Sequence, residues 1–301
     1  MSLTGWIIYN GNLPSKSFLD FANWLHIAAK RKSIESKIYK NNELLTFLAT
    51  DELKLLNEKY DSLPDFVIFT DKDIYLAKQL ELLGIRVFNS ARSIEISDDK
   101  IATYQELAKQ KLPIPKTIIA PKVFTYHDQI DITFTKQVLN SLHLPLIIKE
   151  AYGSFGEQVY LINTKEEMIR KVKELASQPF VFQEFISSSY GRDIRLQVVG
   201  NQVVASMMRS SADDFRANVT AGGSMEPYNA TKAEMELAVA ATKAVGADFA
   251  GVDLLFGPNG QPIICEVNSN AHIRNLFDCT GINVADFIID YIIKELDGNY
   301  D

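Results

Sequence analysis

The 301-residue chain is 47% apolar and 23% charged, enough to bury a full core and long enough for two or three domains. A formal net charge of -7 and a pI near 5.3 argue against a broad basic surface for nucleic acid, and two cysteines without C-x-x-C spacing plus four scattered histidines indicate neither a disulfide scaffold nor a zinc site. No signal peptide is evident and no apolar run approaches the roughly 20 residues of a membrane helix, so the expectation is a cytoplasmic protein with no membrane or nucleic-acid partner, homo-oligomerisation being left open.

Residues 6–10 form a short apolar run closed by Gly11, and residues 18–29 carry Phe18, Phe21, Trp24, Leu25 and Ala28 at helical spacing. β-like runs at 34–39 and 66–70, a helical stretch at 71–83 and a run at 85–88 continue the alternation. This predicts a small parallel sheet. No G-x-G-x-x-G follows the first strand, so a Rossmann-type dinucleotide fingerprint is not supported. A helix is expected over 98–110, with Asp98 and Asp99 at its positive end, Lys100 in its first turn, and Pro113 and Pro115 stopping it.

A strand near 117–119 and a helix near 135–142 lead to a strand at 146–149. A turn containing Gly153, Ser154, Phe155 and Gly156 follows, then a returning strand at 158–162 and a helix at 165–177. Residues 180–186 are apolar around Gln183 and Glu184, and the polar connector 187–191 has the character of a hinge. Boundaries are accordingly placed at 1–90, 91–186 and 187–301. Gly200-Asn201 suits a type II′ hairpin, and Thr231 with Glu234 fits a capping box for a helix that Gly246 ends. A last helix over 283–296 should pack on the sheet.

The stretch 251–270, GVDLLFGPNGQPIICEVNSN, carries the strongest chemical signal. Asn259-Gly260 favours a type I′ turn. A hairpin centred there sets Asp253 opposite Glu266 and Leu255 opposite Ile264, with Asn268 on the face of Glu266. Opposed carboxylates repel unless a cation lies between them, and an oxygen-only set suits Mg²⁺; a solvated sheet face is the alternative. Lys149 ends an apolar strand just before a glycine turn whose N–H groups can cover phosphate oxygens, although such a lysine also suits a solvated strand end. Arg192, Asp193 and Arg195 equally suit an ion-paired strand entry.

Their order is more informative than any one of them: DK at 99–100, IIKEAYGSFG at 147–156, FQEFI at 182–186, GRDIR at 191–195, DFRAN at 214–218, then GVD and EVNSN. From about residue 90 to 296 the chain resembles the ATP-grasp ligases of the RimK type, which attach glutamate or similar amino acids to carboxylates. The resemblance implies an α/β protein, an ATP-grasp fold preceded by a small parallel-sheet domain. It implies that Lys100 and Lys149 bind ATP phosphates under a flap of Gly153, Ser154, Phe155 and Gly156, and that Gln183, Glu184 and Phe185 form the adenine linker. Asp193, Arg216, Ala217 and Asn218 would be further nucleotide contacts, Arg209 would lie near the reacting phosphate, and Asp253, Glu266 and Asn268 would hold Mg²⁺ or Mn²⁺, two ions in all.

The chemistry so implied moves the γ-phosphoryl of ATP onto a carboxylate and lets an amino acid displace phosphate to form an amide, the acceptor being a small molecule or a peptide. A small-molecule kinase and a nucleotide-binding protein without turnover are the other classes. The clearest departure from the family follows Asn268, where the family commonly has a small residue and then Ser-Pro-Gly, whereas this chain reads Ser269-Asn270-Ala271-His272. Asn270, His272 and Arg274 are therefore candidate substrate residues, Arg274 as a bidentate carboxylate anchor and His272 as a proton carrier.

Overall fold

The computed structural model describes residues 3–13, 15–56, 62–123, 131–153, 156–175, 177–217 and 223–298; Ser154, Phe155 and Asn218 lie outside them. β1 (Thr4–Tyr9) leads through α1 (Lys16–Arg31) to β2 (Glu35–Lys40). A separate ribbon of β3 (Leu45–Ala49) and β4 (Glu52–Leu56) comes next, an addition to the expected alternation. β5 (Phe66–Phe69), α2 (Ile74–Leu82) and β6 (Arg86–Phe88) complete a parallel sheet ordered β2-β1-β5-β6. α2 starts where the Asp73 carboxylate accepts the Leu76 N–H, and α1 buries Phe21, Ala22, Leu25, Ala28 and Ala29 along one stripe.

The helix expected over 98–110 is α4 (Lys100–Lys109), and a further helix, α3 (Ala91–Asp98), precedes it. Asp99 separates them because its backbone is extended and its carboxylate accepts the Ile101 and Ala102 N–H groups, capping α4 and leaving Lys100 as its first residue. β7 (Thr117–Ile119), α5 (Thr135–Ser141), β8 (Leu146–Glu150), β9 (Val159–Ile162), α6 (Lys165–Glu174) and β10 (Phe180–Glu184) build an antiparallel sheet ordered β7-β10-β8-β9. Its inner face, with Leu146, Ile148, Phe180 and Phe182, is covered by Val138 and Leu142 and by Met168 and Val172.

β11 (Arg192–Val199), β12 (Gln202–Ser210), β13 (Ser224–Pro227), α7 (Lys232–Ala244), β14 (Phe249–Phe256) and β15 (Pro262–Asn268) form the third sheet, ordered β13-β12-β11-β14-β15. α8 (Arg274–Thr280) and α9 (Val284–Asp297) close the chain. The Thr231/Glu234 capping box starts α7, and Gly200 takes the positive φ that a type II′ turn needs between β11 and β12. Alternation splits the sheet's two faces. Ile194, Leu196, Val252, Leu254, Ile264 and Val267 face α7, where Leu237, Ala238 and Ala241 meet them. The intervening positions, Asp193, Arg195, Asp253, Glu266 and Asn268, face the other way.

The hairpin reaches the expected Asp253–Glu266 pairing by an unexpected route. Its turn is not type I′: Gly260 N–H donates to Gly257 O with Pro258 and Asn259 between them, and of the expected pair Asn259-Gly260 only Gly260 has a positive φ. That turn moves the pairing by one residue, so Leu255 faces Ile263 and not Ile264. A bulge at Cys265 moves it back, restoring Asp253 opposite Glu266. Without the bulge, Glu266 would alternate onto the apolar face that α7 covers.

The N-terminal sheet and the C-terminal helices share one core. Ile7, Phe21, Leu25, Phe66 and Phe88 join Phe249, Leu276, Ile288 and Ile289 in a single cluster. Full burial of side chains of this kind contributes roughly 1.5–3 kcal/mol each. Asn89, fully buried, fixes the contact with all of its amide capacity. Its Oδ1 accepts from the Asp248 and Phe249 N–H groups (2.6 and 3.1 Å), and its Nδ2 donates to Phe249 O and Ser269 O (2.9 and 3.0 Å).

Candidate active site

Two lysines expected to bind phosphate come from different elements to one place. Lys100, the first residue of α4, donates to Gly153 O (3.1 Å) and lies 3.7 Å from Glu266 Oε1. Lys149, near the end of β8, donates to the Tyr104 hydroxyl (3.1 Å) and lies 3.7 Å from Cys265 Sγ. Tyr104 stands one helical turn beyond Lys100, and its hydroxyl donates to Cys265 O (2.7 Å), tying β8 to β15 through α4. Burial pulls the Lys149 ammonium downward, but Cys265, Tyr104 and Glu266 outweigh it and hold its pKa above the ordinary lysine value. The ammonium is charged at neutral pH.

The flap glycines are held by cations. Gly153 O accepts from Lys100, and Gly156 O accepts from Arg216 Nη1 at 2.5 Å, while Arg216 also forms a bidentate pair with Asp214. Gly153 and Gly156 both have positive φ, a conformation that glycine adopts without steric cost. Ala217, next to Arg216, is buried. Glu184 accepts the Lys116 N–H, and Phe185 meets Tyr190 and Phe215 edge-on, which places the linker residues at the subdomain junction. Gln183 instead turns inward, donating to Thr117 Oγ1 and accepting from Tyr104.

The arginine expected near the reacting phosphate belongs to a four-membered ionic row. Asp193 and Arg209 are directly opposed across β11–β12, and Arg195 and Asp253 across β11–β14. Each opposed pair makes two bonds of 2.7 Å, and Arg209 reaches Asp253 as well, at 3.0 Å. Burial alone would raise the Asp253 carboxyl, but Arg195 and Arg209 overcome it and hold the pKa below the usual carboxylate range. Two carboxylates and two guanidiniums balance, so the ion-paired reading of Asp193 and Arg195 describes this row.

The donors expected to hold a metal are oxygen atoms on one face of the sheet. Glu266 is met by a single cation at 3.7 Å, and Asn268 directs its Nδ2 at Gly251 O (3.5 Å), leaving its Oδ1 for another partner. Asp253 Oδ1 accepts from Arg195 alone, whereas Oδ2 accepts from both arginines. Hard donors of this kind fit Mg²⁺ at Glu266 and Asn268, with Asp253 able to add the lone pair left on Oδ1. Among the described residues no group of three or more His, Cys, Asp or Glu side chains is placed to hold a metal ion.

The substrate residues expected after Asn268 are corrected by their surroundings. Arg274 is not free to anchor a substrate carboxylate: it starts α8, and its fork is occupied by Asp20 of α1 (2.9 and 2.7 Å) while it stacks 4.2 Å over Trp24. His272 packs its ring on Phe18 and Phe21 at the same junction, and burial lowers its pKa, so it is neutral at pH 7. Asn270 alone remains on the site side, donating to Asp71 O at 2.5 Å. The sequence reading missed Tyr104 and Asn89. The spacing of Tyr104 four residues after Lys100 on a helix was the one available signal.

The family model for the RimK-like ATP-grasp domain matches residues 97–292. A probable alpha-L-glutamate ligase 2 of Shewanella amazonensis is 38% identical over 223 residues, covering 73% of this chain and 71% of the relative. Human N-acetylaspartylglutamate synthase A is 30% identical over 254 residues, covering 81% of this chain and 63% of the relative. An uncharacterized protein of Mycoplasma genitalium, MG012, is 30% identical and covers 93% of this chain and 96% of its own length. Among solved structures, the VanG D-Ala:D-Ser ligase from Enterococcus faecalis superimposes with a TM-score of 0.74 at 18% identity, covering 97% and 99% of the two chains. The ATP-grasp ligase PsnB with its precursor variant, Mg and ADP gives 0.70 at 16%, covering 98% and 99%. These structural likenesses establish an ATP-grasp fold, and the sequence matches establish the lineage: the chain belongs to the RimK-like ATP-grasp family.

Proposed function

We propose that this chain is an ADP-forming ligase that joins a carboxylate to the amino group of an amino acid, glutamate being the first candidate from its relatives' names. The observation that carries the reading is the convergence of Lys100 and Lys149 with Glu266 beside the glycine turn at 153–156. The γ-phosphoryl of ATP passes to a carboxylate oxygen with release of ADP; the amine nitrogen then attacks the acyl carbon, phosphate leaves, and the nitrogen gives up a proton. Lys100 and Lys149 offset the charge on the transferred group and hold it in place. Arg216 and Lys100, which grip the turn by its carbonyls, keep the cover close and exclude water. Glu266 and Asn268 would hold Mg²⁺ or Mn²⁺, one ion or two, and Asp253 would share in it; such a metal neutralises phosphate charge.

No helix among the described residues is long and apolar enough to cross a membrane. A cytoplasmic setting is part of the proposal. The test is incubation with ATP, Mg²⁺ and a matrix of acids and amino acids, followed by ADP release and mass spectrometry. An amide product with one ADP per bond is expected. ADP release with a phosphorylated acid or polyol and no amide would make the protein a kinase, and ATP binding without ADP release would remove the enzymatic reading.

A further inference from the structure

We propose that Asp71, with Asn270 and Asn10, is the site that binds the primary ammonium group of the amine substrate; this rests on the ligase reading and adds a substrate site to it. Topology gives the first reason. In the sheet ordered β2-β1-β5-β6, β1 continues through α1 to a strand on one side and β5 continues through α2 to a strand on the other. β1 and β5 therefore flank the switch point of a parallel sheet, and the crevice beyond their carboxyl ends is where such sheets receive ligands. Asn10 follows β1 directly and Asp71 lies two residues past β5.

Chemistry gives the second. Asp71 is 5% exposed, and among the described residues its carboxylate accepts hydrogen bonds from neutral donors, the Asn10 amide (3.1 and 3.3 Å) and the Lys72 backbone N–H (2.8 Å). The neighbouring Lys72 ammonium acts on this carboxylate only through space and is paired with Asp98, so among the described residues no cation bonds it directly. Asn270 adds an unmet acceptor. Its Nδ2 donates to Asp71 O at 2.5 Å, and its Oδ1 is buried without a hydrogen-bond partner among the described residues. The amide cannot be turned over, because its oxygen would then face the Asp71 carbonyl. A carboxylate with lone pairs to spare beside an orphaned carbonyl oxygen calls for a compact donor with several N–H groups and a positive charge. A primary ammonium meets that need, and a carboxylate or phosphate does not.

Position gives the third. Asn270 is two residues beyond Asn268, so the Cα atoms of these two residues, one at the ammonium site and one at the proposed metal end, are at most about 7 Å apart. The amine is bound charged at Asp71 and must lose a proton before its nitrogen attacks.

The test uses full-length protein with a non-hydrolysable ATP analogue and Mg²⁺, screened by thermal shift and then calorimetry against the twenty amino acids, their N-acetylated forms, and dipeptides beginning with the best binder. A free amino acid or a dipeptide N-terminus should bind, the two arms separating those sources, and its N-acetylated form should bind at least tenfold more weakly. Asp71→Asn and Asn270→Ala should each weaken that ligand at least tenfold, raising its KM with kcat and ATP affinity retained. Retained ATP affinity also shows that the variants fold. Equal binding of the N-acetylated form, wild-type affinity in both variants, or no amine binding by a protein that binds ATP would each overturn the site. An amine that binds and depends on Asp71, in a protein that forms no amide with any acid, would instead sink the ligase reading and leave the site standing.

Discussion

Two pairs of cations, one on β11 and β12 and one beside β15, differ in what they have already spent. Arg195 and Arg209 are closed into bidentate pairs with Asp253 and Asp193. Lys100 and Lys149 touch a carbonyl, a phenol, a thiol and one carboxylate at 3.7 Å. In the proposed site the lysines would keep charge for a phosphate, whereas the arginines neutralise the carboxylates of the sheet. A cation's residue type and motif position do not reveal this difference, because it lies in the partners that neighbouring strands bring.

The comparison breaks most clearly at Arg209. Arg209→Ala leaves Asp193 and Asp253 buried with half of their compensation, so a loss of about 3–5 kcal/mol in urea unfolding is expected. A loss under 1 kcal/mol would place Arg209 with the lysines. Lys149→Ala should act the other way, weakening ATP binding by calorimetry about 10- to 100-fold, since charge-assisted hydrogen bonds contribute about 1.5–3 kcal/mol, with much less effect on unfolding. Glu266→Gln should leave the fold intact and suppress ADP formation, with partial recovery at high Mg²⁺ if the carboxylate binds the metal.

Two buried aspartates sharpen the point through pH. Asp253, with two guanidiniums, has a lowered folded pKa, so its contribution is present above the unfolded value of 3.8 and is lost as pH falls through the lower, folded value. Asp248 has one guanidinium contact, with Arg86 (3.0 Å), and accepts from the Tyr291 hydroxyl (3.1 Å); burial outweighs both and pushes its pKa up to about 6. Its contribution is therefore full below pH 3.8 and is lost as pH rises through about 6. Asp248→Asn should flatten the stability profile between those limits, by at most about 3 kcal/mol at one pKa unit per 1.36 kcal/mol. An unchanged profile would show Asp248 to be fully compensated. The smallest effect is expected from Arg274→Ala, which opens an exposed pair with Asp20 and should leave every KM unchanged. A raised KM for the acid would return Arg274 to the substrate side.

Local patterns carried the fold far. The alternation of residues 6–88 gave the parallel sheet, Thr231 with Glu234 gave a helix start, and Gly200-Asn201 gave a hairpin, each because the signal lies within a few residues of the element it specifies. The ordered motifs from Lys100 to Asn268 gave the family. Register was only half legible. Asp253 does face Glu266, but through a turn and a bulge whose shifts cancel, and nothing in the stretch 251–270 shows that Cys265 is the extra residue. Pairings between distant segments were not legible at all. Arg274 looks like a free anchor until α1 supplies Asp20 and Trp24 from 254 positions away in sequence for the Asp20 bond. Asp71 looks like a helix-flanking residue until Asn270 reaches it across 199 positions. Sequence by itself determined which side chains exist and which elements carry them. Which charges are spent and which remain for a ligand was decided only by tertiary packing, because electrostatic pairing acts over a few ångströms of space and is indifferent to separation along the chain.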